Sequence, residues 1–449
     1  MSEDSRHAAG PHAAGLRRRL GLTALVFYGV GDILGAGIYA LVGEVAGMAG
    51  RLSWLSFLIA LVVASLTGLS YAELGSRFPR SGGEAHFCRQ AFRPPAVATV
   101  IGWMVFWSSV LSLSTVSRAF AGYLQVLIPG VPAAGIVIAL LILLAAINFF
   151  GIQLSSATNI VCTLIEASGL LLVICAGLAF LADPAAELAA RAAGAGIPEP
   201  STTMFGVIQA ATLAFFAFIG FEDMVNVAEE AKNPQRNMPL AIILAAAIAG
   251  TMYIVVIVIA TRVVAPQELA ASKAPLLQVV LVAAPAIPTW LFTAIALFAV
   301  ANTGLLNFVT ASRLLYGMSQ DGLLPQALGR VHRVRGTPHY AVWFVWLVAV
   351  VLATTGTLAY LAGTTSIILL SVFLTMNIAL IRVKRQQPAE SVQFRVPTAI
   401  PVLGAVVCLA LLMFTSISEL VAASLLVLAG SVLALYRHRR SGGSSGGTF

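Results

Sequence analysis

The chain has 449 residues, 59% hydrophobic and only 10% charged, where an ordinary soluble domain carries about 25% charged residues. That balance excludes a soluble globular protein: a hydrocarbon core of about 30 Å needs about 20 apolar residues per helix, and such windows recur along the whole sequence. The net charge of +8 raises nucleic-acid binding, but the basic residues cluster in alternate loops, so they read as membrane orientation and the expected partner is the lipid bilayer, not a nucleic acid.

Residues 1–19 are polar and end in Arg17-Arg18-Arg19; no small-residue cleavage site follows at signal-peptide distance, so this segment is expected to remain as a cytoplasmic tail. Twelve apolar spans follow, at 22–49, 53–78, 95–125, 132–150, 155–182, 204–228, 239–264, 288–316, 339–356, 358–381, 399–417 and 419–436. The first is interrupted by Gly35-Ala36-Gly37 and the sixth by Gly220-Phe221-Glu222-Asp223. Glycine weakens a helix and an acid in hydrocarbon is costly, so both spans read as helices broken inside the membrane. Discontinuous helices are the best sequence pointer to a transporter's binding site.

The breaks are about 185 residues apart, and each opens a run of five spans. Five spans per run put the second copy upside down, which predicts an all-α integral membrane protein with twelve transmembrane helices. Its organisation is a 5+5 inverted repeat, discontinuous at helices 1 and 6, plus two extra helices. The predicted divisions are a tail at 1–19, a first repeat at 20–182, an extracellular loop at 183–203 and a second repeat at 204–381. A cytoplasmic loop at 382–398, helices 11 and 12 at 399–436, and a flexible Gly/Ser-rich tail at 437–449 complete the chain. Turn-rich joints are expected at Pro79 to Glu84 and at Lys232 to Pro239, and one short helix over the extracellular mouth within Pro266 to Val282.

Of 26 lysines and arginines, 21 fall in the segments that this topology puts on one side, which assigns both termini to the cytoplasm of a multi-pass protein of the cell membrane. Arg118 is left well inside a span, away from either end. The four cysteines lack CxxC spacing, and the six histidines sit in loops, tails or span ends, so neither a metal centre nor a cofactor is expected. The absence of GxSxG and HExxH speaks against a membrane-embedded enzyme, and the absence of a P-loop against ATP-driven transport.

Five ordered motifs carry a family resemblance. They are Gly29-Val-Gly-Asp-Ile-Leu-Gly-Ala-Gly-Ile-Tyr39, Tyr71-Ala-Glu-Leu-Gly-Ser-Arg-Phe-Pro-Arg-Ser-Gly-Gly83, Phe215-Phe-Ala-Phe-Ile-Gly-Phe-Glu222, Glu229-Glu-Ala-Lys-Asn-Pro234 and Arg313-Leu-Leu-Tyr-Gly-Met-Ser-Gln-Asp-Gly322. Over about residues 20 to 385 the chain resembles permeases of the amino acid–polyamine–organocation (APC) superfamily, near the cationic amino acid transporter branch. The resemblance implies a secondary transporter that imports amino acids by alternating access, with protons as the coupling ion. A polyamine or cationic amino acid permease or exchanger, with sodium as the ion, stays open.

An amino acid zwitterion needs free N–H groups on one side and free C=O groups on the other. Around Ile33, Gly35, Ala36, Gly37 and Ile38 the first break offers a half-helix N-terminus for the carboxylate. Around Phe216, Ala217 and Ile219 the second offers carbonyls for the ammonium, as the resemblance implies. Phe216 and Phe218 are the aromatic candidates for a gate.

Asp32, Glu166, Glu222 and Asp223 are buried acids, and the cost of burying charge makes each a candidate to hold a proton. Asp32 stands where a small polar residue is expected and is a candidate to bind substrate or select its charge. Glu166 stands where many proton-linked relatives carry lysine; it reads as a proton carrier, as a cation ligand with Asn302 and Thr303, or as a structural hydrogen-bond partner. Glu222 matches a position usually acidic in the family, and Asp223 a non-acidic one. Arg118 is expected either in a structural ion pair with an acid such as Glu166 or Asp223 or in contact with the ligand, and Glu73 with Arg77 in a pair at helical spacing. Substrate side chain, stoichiometry and oligomeric state are not encoded legibly.

Overall fold

Proline sets where several helices begin, because a first-turn residue needs no N–H. In the computed structural model of the chain, Pro95, Pro234, Pro266 and Pro275 each open a helix. The structure describes residues 20–78, 83–150, 156–185, 188, 203–332, 335–386 and 394–443. The N-terminal tail at 1–19, the Pro79 to Gly82 part of the first joint, most of the loop at 183–203, residues 387–393 and the last six residues lie outside the described residues.

The helices are α1 (Leu22–Leu34), α2 (Ala36–Ala49), α3 (Ser53–Arg77), α4 (Gly83–Ala91), α5 (Pro95–Leu127), α6 (Ala133–Phe150), α7 (Ser156–Leu181) and α8 (Met204–Ala214). They continue as α9 (Pro234–Val263), α10 (Pro266–Ala271), α11 (Pro275–Ala283), α12 (Thr289–Gln320), α13 (His339–Thr355), α14 (Leu358–Gln386), α15 (Ala399–Met413) and α16 (Ile417–Gly443). Short 3-10 turns fill Phe215–Phe218 and Asp223–Glu230. Among the described residues no strand forms; Leu20 and Ala231 make one isolated bridge.

Among the described residues, eight helical stretches are able by length and composition to cross a membrane, the first of them the 56-residue run Leu22–Arg77 that holds both α1–α2 and α3. The pair α15 and α16, bent by 119°, adds up to one more, and α13 is a shorter apolar helix. Apolar side chains facing outward, such as Leu143 at 55% and Leu425 at 61% exposure, would be an aggregation hazard in water and suit a lipid surface. The chain is a multi-pass membrane protein. The single helix expected within Pro266 to Val282 is two, because Ser272 and Ala274 adopt extended or irregular backbone and Pro275 restarts the helix.

α5 lies centrally and packs on α12 and α14, α3 packs on α9, and α1 is held between α9 and α7. At the end rich in basic residues, fully buried Glu73 accepts from Arg77 Nη2 (2.6 Å), Lys384 Nζ (2.9 Å) and the Val396 amide (2.9 Å). The expected helical pair is therefore part of a wider knot joining α3, α14 and the segment before α15. There too Leu20 N–H donates to Glu230 O (3.0 Å) and Lys232 N–H to Leu20 O (2.8 Å).

Candidate functional site

The first break is one residue wide. α1 stops at Leu34, Gly35 turns the chain, and α2 restarts at Ala36. Its first-turn amides, including those of Gly37 and Ile38, have no carbonyl one turn earlier within their own helix. Ala36 N–H instead donates to Thr303 Oγ1 of α12 (2.9 Å).

The second break is wider. α8 ends at Ala214, Phe215–Phe218 tighten to a 3-10 turn, and no α-helix resumes before Pro234. Gly220 sits at φ +129°, a conformation that L side chains rarely adopt. A Cβ there would meet Asp32 O at 2.7 Å, and a Cβ on Gly37 would collide with the Ala217 backbone. The glycines thus let the two broken helices touch backbone to backbone at two points.

Between them lies a cavity of about 40 Å³ lined by Asp32, Ile33, Gly35, Ala36 and Gly37 from the first break, and by Phe216, Ala217, Ile219, Gly220 and Asp223 from the second. Thr303, Ser112, Leu306 and Asn307 complete the wall. Sequence reasoning missed the last three. Ser112 and Asn307 left a signal, a hydroxyl run in the third span and an amide in an apolar one; Leu306 left none.

Among the residues expected at the site, Ile38 and Phe218 do not line the cavity. Phe218 packs against Phe57 (ring centroids 6.4 Å) and Tyr253 (5.3 Å), so of the two gate candidates only Phe216 borders it. Glu222 also turns away: its Oε2 accepts from Gly220 N–H (2.8 Å) and braces its own loop, whereas Asp223 reaches the cavity. The carbonyl of Phe216 is in part used, accepting from Ile219 N–H (3.3 Å). Asp32 Oδ2 is buried without a hydrogen-bond partner.

Glu166 is fully buried behind the first break. Asn302 Nδ2 donates to its Oε1 (2.8 Å), its Oε2 has no partner, and Tyr39 OH donates to its backbone carbonyl (2.8 Å). With Thr303 bonded to Ala36, this closes a ring of hydrogen bonds in which α2, α7 and α12 each hold the other two.

The ion pair expected for Arg118 does not form: its Nη1 donates to Ala353 O (2.8 Å), and no acid lies within ion-pair distance of it among the described residues. The cause is placement. Arg118 borders a different, larger cavity of about 490 Å³, and neither Glu166 nor Asp223 does.

A multi-pass helical membrane protein whose two broken helices meet around a buried polar cavity has the build of a membrane permease. Sequence comparison makes the class particular. Residues 20–433 match the amino acid permease family, and the chain belongs to it. It is 30% identical over 427 residues to the branched-chain amino acid permease BcaP of Bacillus subtilis (strain 168), covering 89% of this chain and 88% of that protein. It is likewise 30% identical over 418 residues to the methylthioribose transporter of the same organism, with 88% and 87% covered. With cationic amino acid transporter 9, chloroplastic, of Arabidopsis thaliana it shares 32% over 342 residues, 71% of this chain and 58% of that one. Family and relatives point to a transporter of a small-molecule substrate, an amino acid, and not to an enzyme.

Proposed function

We propose that the protein imports an α-amino acid across the cell membrane by alternating access, coupled to protons, with both termini cytoplasmic. The fold proposed for it is the twelve-helix, 5+5 inverted repeat, with α15 and α16 as additions. The observation that carries the reading is the cavity bounded by both breaks, which has the start of α2 in one wall and an acid from each break, Asp32 and Asp223, in its lining.

A carboxylate placed at the first turn of α2 meets N–H groups that have no carbonyl partner within their own helix, and the positive end of that helix. An ammonium meets Asp32, Asp223 and the non-helical backbone around Gly220. Phe216 is the gate in this reading, closing over the substrate by rotation about its side-chain bonds.

Glu166 is the proposed proton carrier. A carboxyl group with one oxygen held by Asn302 and the other unpartnered has room for a proton, and a buried carboxylate without a counter-cation is costly. Asn302 and Thr303 are adjacent on α12, so a change at Glu166 reaches Ala36 through two hydrogen bonds. Sodium is disfavoured by the same geometry: Asn302 presents its donor to Glu166, and the Thr303 oxygen is engaged by Ala36.

One observation favours a cationic amino acid or polyamine as a second reading. Two acids line the cavity, and among the described residues no lysine, arginine or histidine does. The two Bacillus relatives, equal in identity, are named for different cargoes, so the test needs a panel. Proteoliposomes would be loaded against labelled leucine, alanine, arginine, putrescine and methylthioribose, each under an inward proton or sodium gradient. Accumulation of an α-amino acid driven by the proton gradient is expected. Uptake confined to putrescine or methylthioribose would overturn the carboxylate site, and a response to sodium alone would overturn the coupling ion.

A further inference from the structure

The cavity that Arg118 borders is separate from the one between the breaks, and the two share α2. Ala36 and Gly37 line the smaller, while Tyr39, Ala40, Gly43 and Glu44 line the larger. The rest of its wall comes from the ends of α5, α6, α10 and α13 that lie opposite the lysine- and arginine-rich segments. It is closed on one side by the α10–α11 connection, which lies so near α5 that a Cβ on Gly122 would meet Lys273 O at 2.5 Å.

Its charges are unusual in their freedom. A guanidinium has five N–H donors and stays ionised, yet Arg118 spends one on the Ala353 carbonyl and meets no acid among the described residues. Glu44 lines the same cavity and likewise has no ion-pair or hydrogen-bond partner among them. The second cation, Lys273, is engaged by Gln125 Oε1 (3.1 Å). Intramembrane ions persist where they face one another, an aqueous cavity or a ligand. Here one cation and one anion, each without an ion-pair partner among the described residues, border a cavity of about 490 Å³.

We infer that this larger cavity is a second amino acid site, with Arg118 holding the α-carboxylate and Glu44 the α-ammonium. The arginine fork matches a carboxylate in two parallel hydrogen bonds. Tyr39 forms part of the floor, and its hydroxyl donates to the Glu166 carbonyl (2.8 Å), while Tyr123 OH donates to the Tyr39 carbonyl (3.1 Å). A molecule held there sits one helical turn from the smaller cavity. The inference rests on the amino acid cargo proposed above and adds a site to it.

Equilibrium binding of L-[3H]leucine and of L-[3H]arginine to the purified full-length protein in detergent tests it. Wild type is expected to bind about two molecules of the accepted probe per chain. Arg118→Gln and Glu44→Gln each remove one component or weaken it by about ten- to a hundredfold, as for a lost charge-assisted hydrogen bond. Arg118→Lys, which keeps the charge and loses the fork, weakens it less. Phe216→Ala removes the other component and spares this one. If Arg118→Gln does not fold, Glu44→Gln carries the same test.

A single bound molecule that is lost in Phe216→Ala and indifferent to both Gln variants overturns the second site and leaves the transport reading standing. No binding of either probe to any of the proteins overturns both.

Discussion

The two breaks solve one problem in different ways. At Gly35 the interruption costs a single residue, and regular α-helix continues on both sides, so α2 begins with its amides and dipole in fixed register. At Phe215 to Glu230 the α-helix never resumes, and the chain descends in 3-10 turns around a glycine at φ +129°. A sharp break makes a rigid donor end, suited to holding an anion. A long, poorly hydrogen-bonded one makes a segment that can change shape, since 3-10 geometry is weaker than α and is tolerated in short pieces. The difference suggests that the first break binds and the second moves.

Gly220→Ala breaks this contrast hardest. The backbone conformation alone costs about 1–3 kcal/mol for a residue with a Cβ, and the added atom meets the Asp32 carbonyl at 2.7 Å. Uptake into proteoliposomes is expected to fall at least about a hundredfold, with the loss of fold or of motion read from the melting temperature. Normal uptake in this variant would remove the second break from the mechanism.

Glu166→Gln comes next. It keeps the size and the bond to Asn302 but carries no exchangeable charge, so counterflow of substrate persists while accumulation driven by a proton gradient is lost. Accumulation that still follows the gradient would remove Glu166 as the carrier.

Thr303→Val sharpens the first break. It leaves the Ala36 amide without its hydroxyl partner, at about 1–3 kcal/mol, and is expected to lower kcat/KM about tenfold, with Thr303→Ser close to wild type. Equal loss in both variants would mean that shape matters there and the hydroxyl does not.

The smallest effect lies at the end rich in basic residues. Glu84 in α4 is buried, and desolvation, reinforced by the Asp223 charge, pushes its carboxyl up from 4.5 to about 7 even though Tyr71 OH donates to it (3.2 Å). The folded protein therefore holds this proton more tightly than the unfolded chain. Its contribution is full below about pH 4.5 and declines as pH rises through about 7. Wild-type melting temperature is expected to fall between about pH 5 and 8, and Glu84→Gln to flatten that slope. An unchanged slope would mean the group is not the one titrating.

Much of the fold was legible because a membrane imposes simple rules: apolar length announces each helix, and glycine next to an acid announces a break. The lining of the smaller cavity was legible for the same reason, since most of it comes from the backbone around the two breaks. Side-chain direction was not. Spacing alone cannot tell that Phe216 borders the cavity while Phe218 points into the Phe57 and Tyr253 rings, or that Glu222 bends back to Gly220 and leaves Asp223 at the wall. Arg118 shows the limit best. Its need for an anionic partner or an aqueous cavity was plain from its position in a span, but that it meets the Ala353 carbonyl and borders the larger cavity is a long-range placement that no local pattern encodes.

The central claim is that the amides at the start of α2 hold a substrate carboxylate. Competition against uptake of the accepted labelled amino acid, using the same amino acid, its α-carboxamide and its decarboxylated amine, tests it most directly. The account predicts that both analogues compete at least about a hundredfold more weakly, as expected where buried donors lose their anionic partner. Analogues that compete as well as the parent amino acid would contradict it.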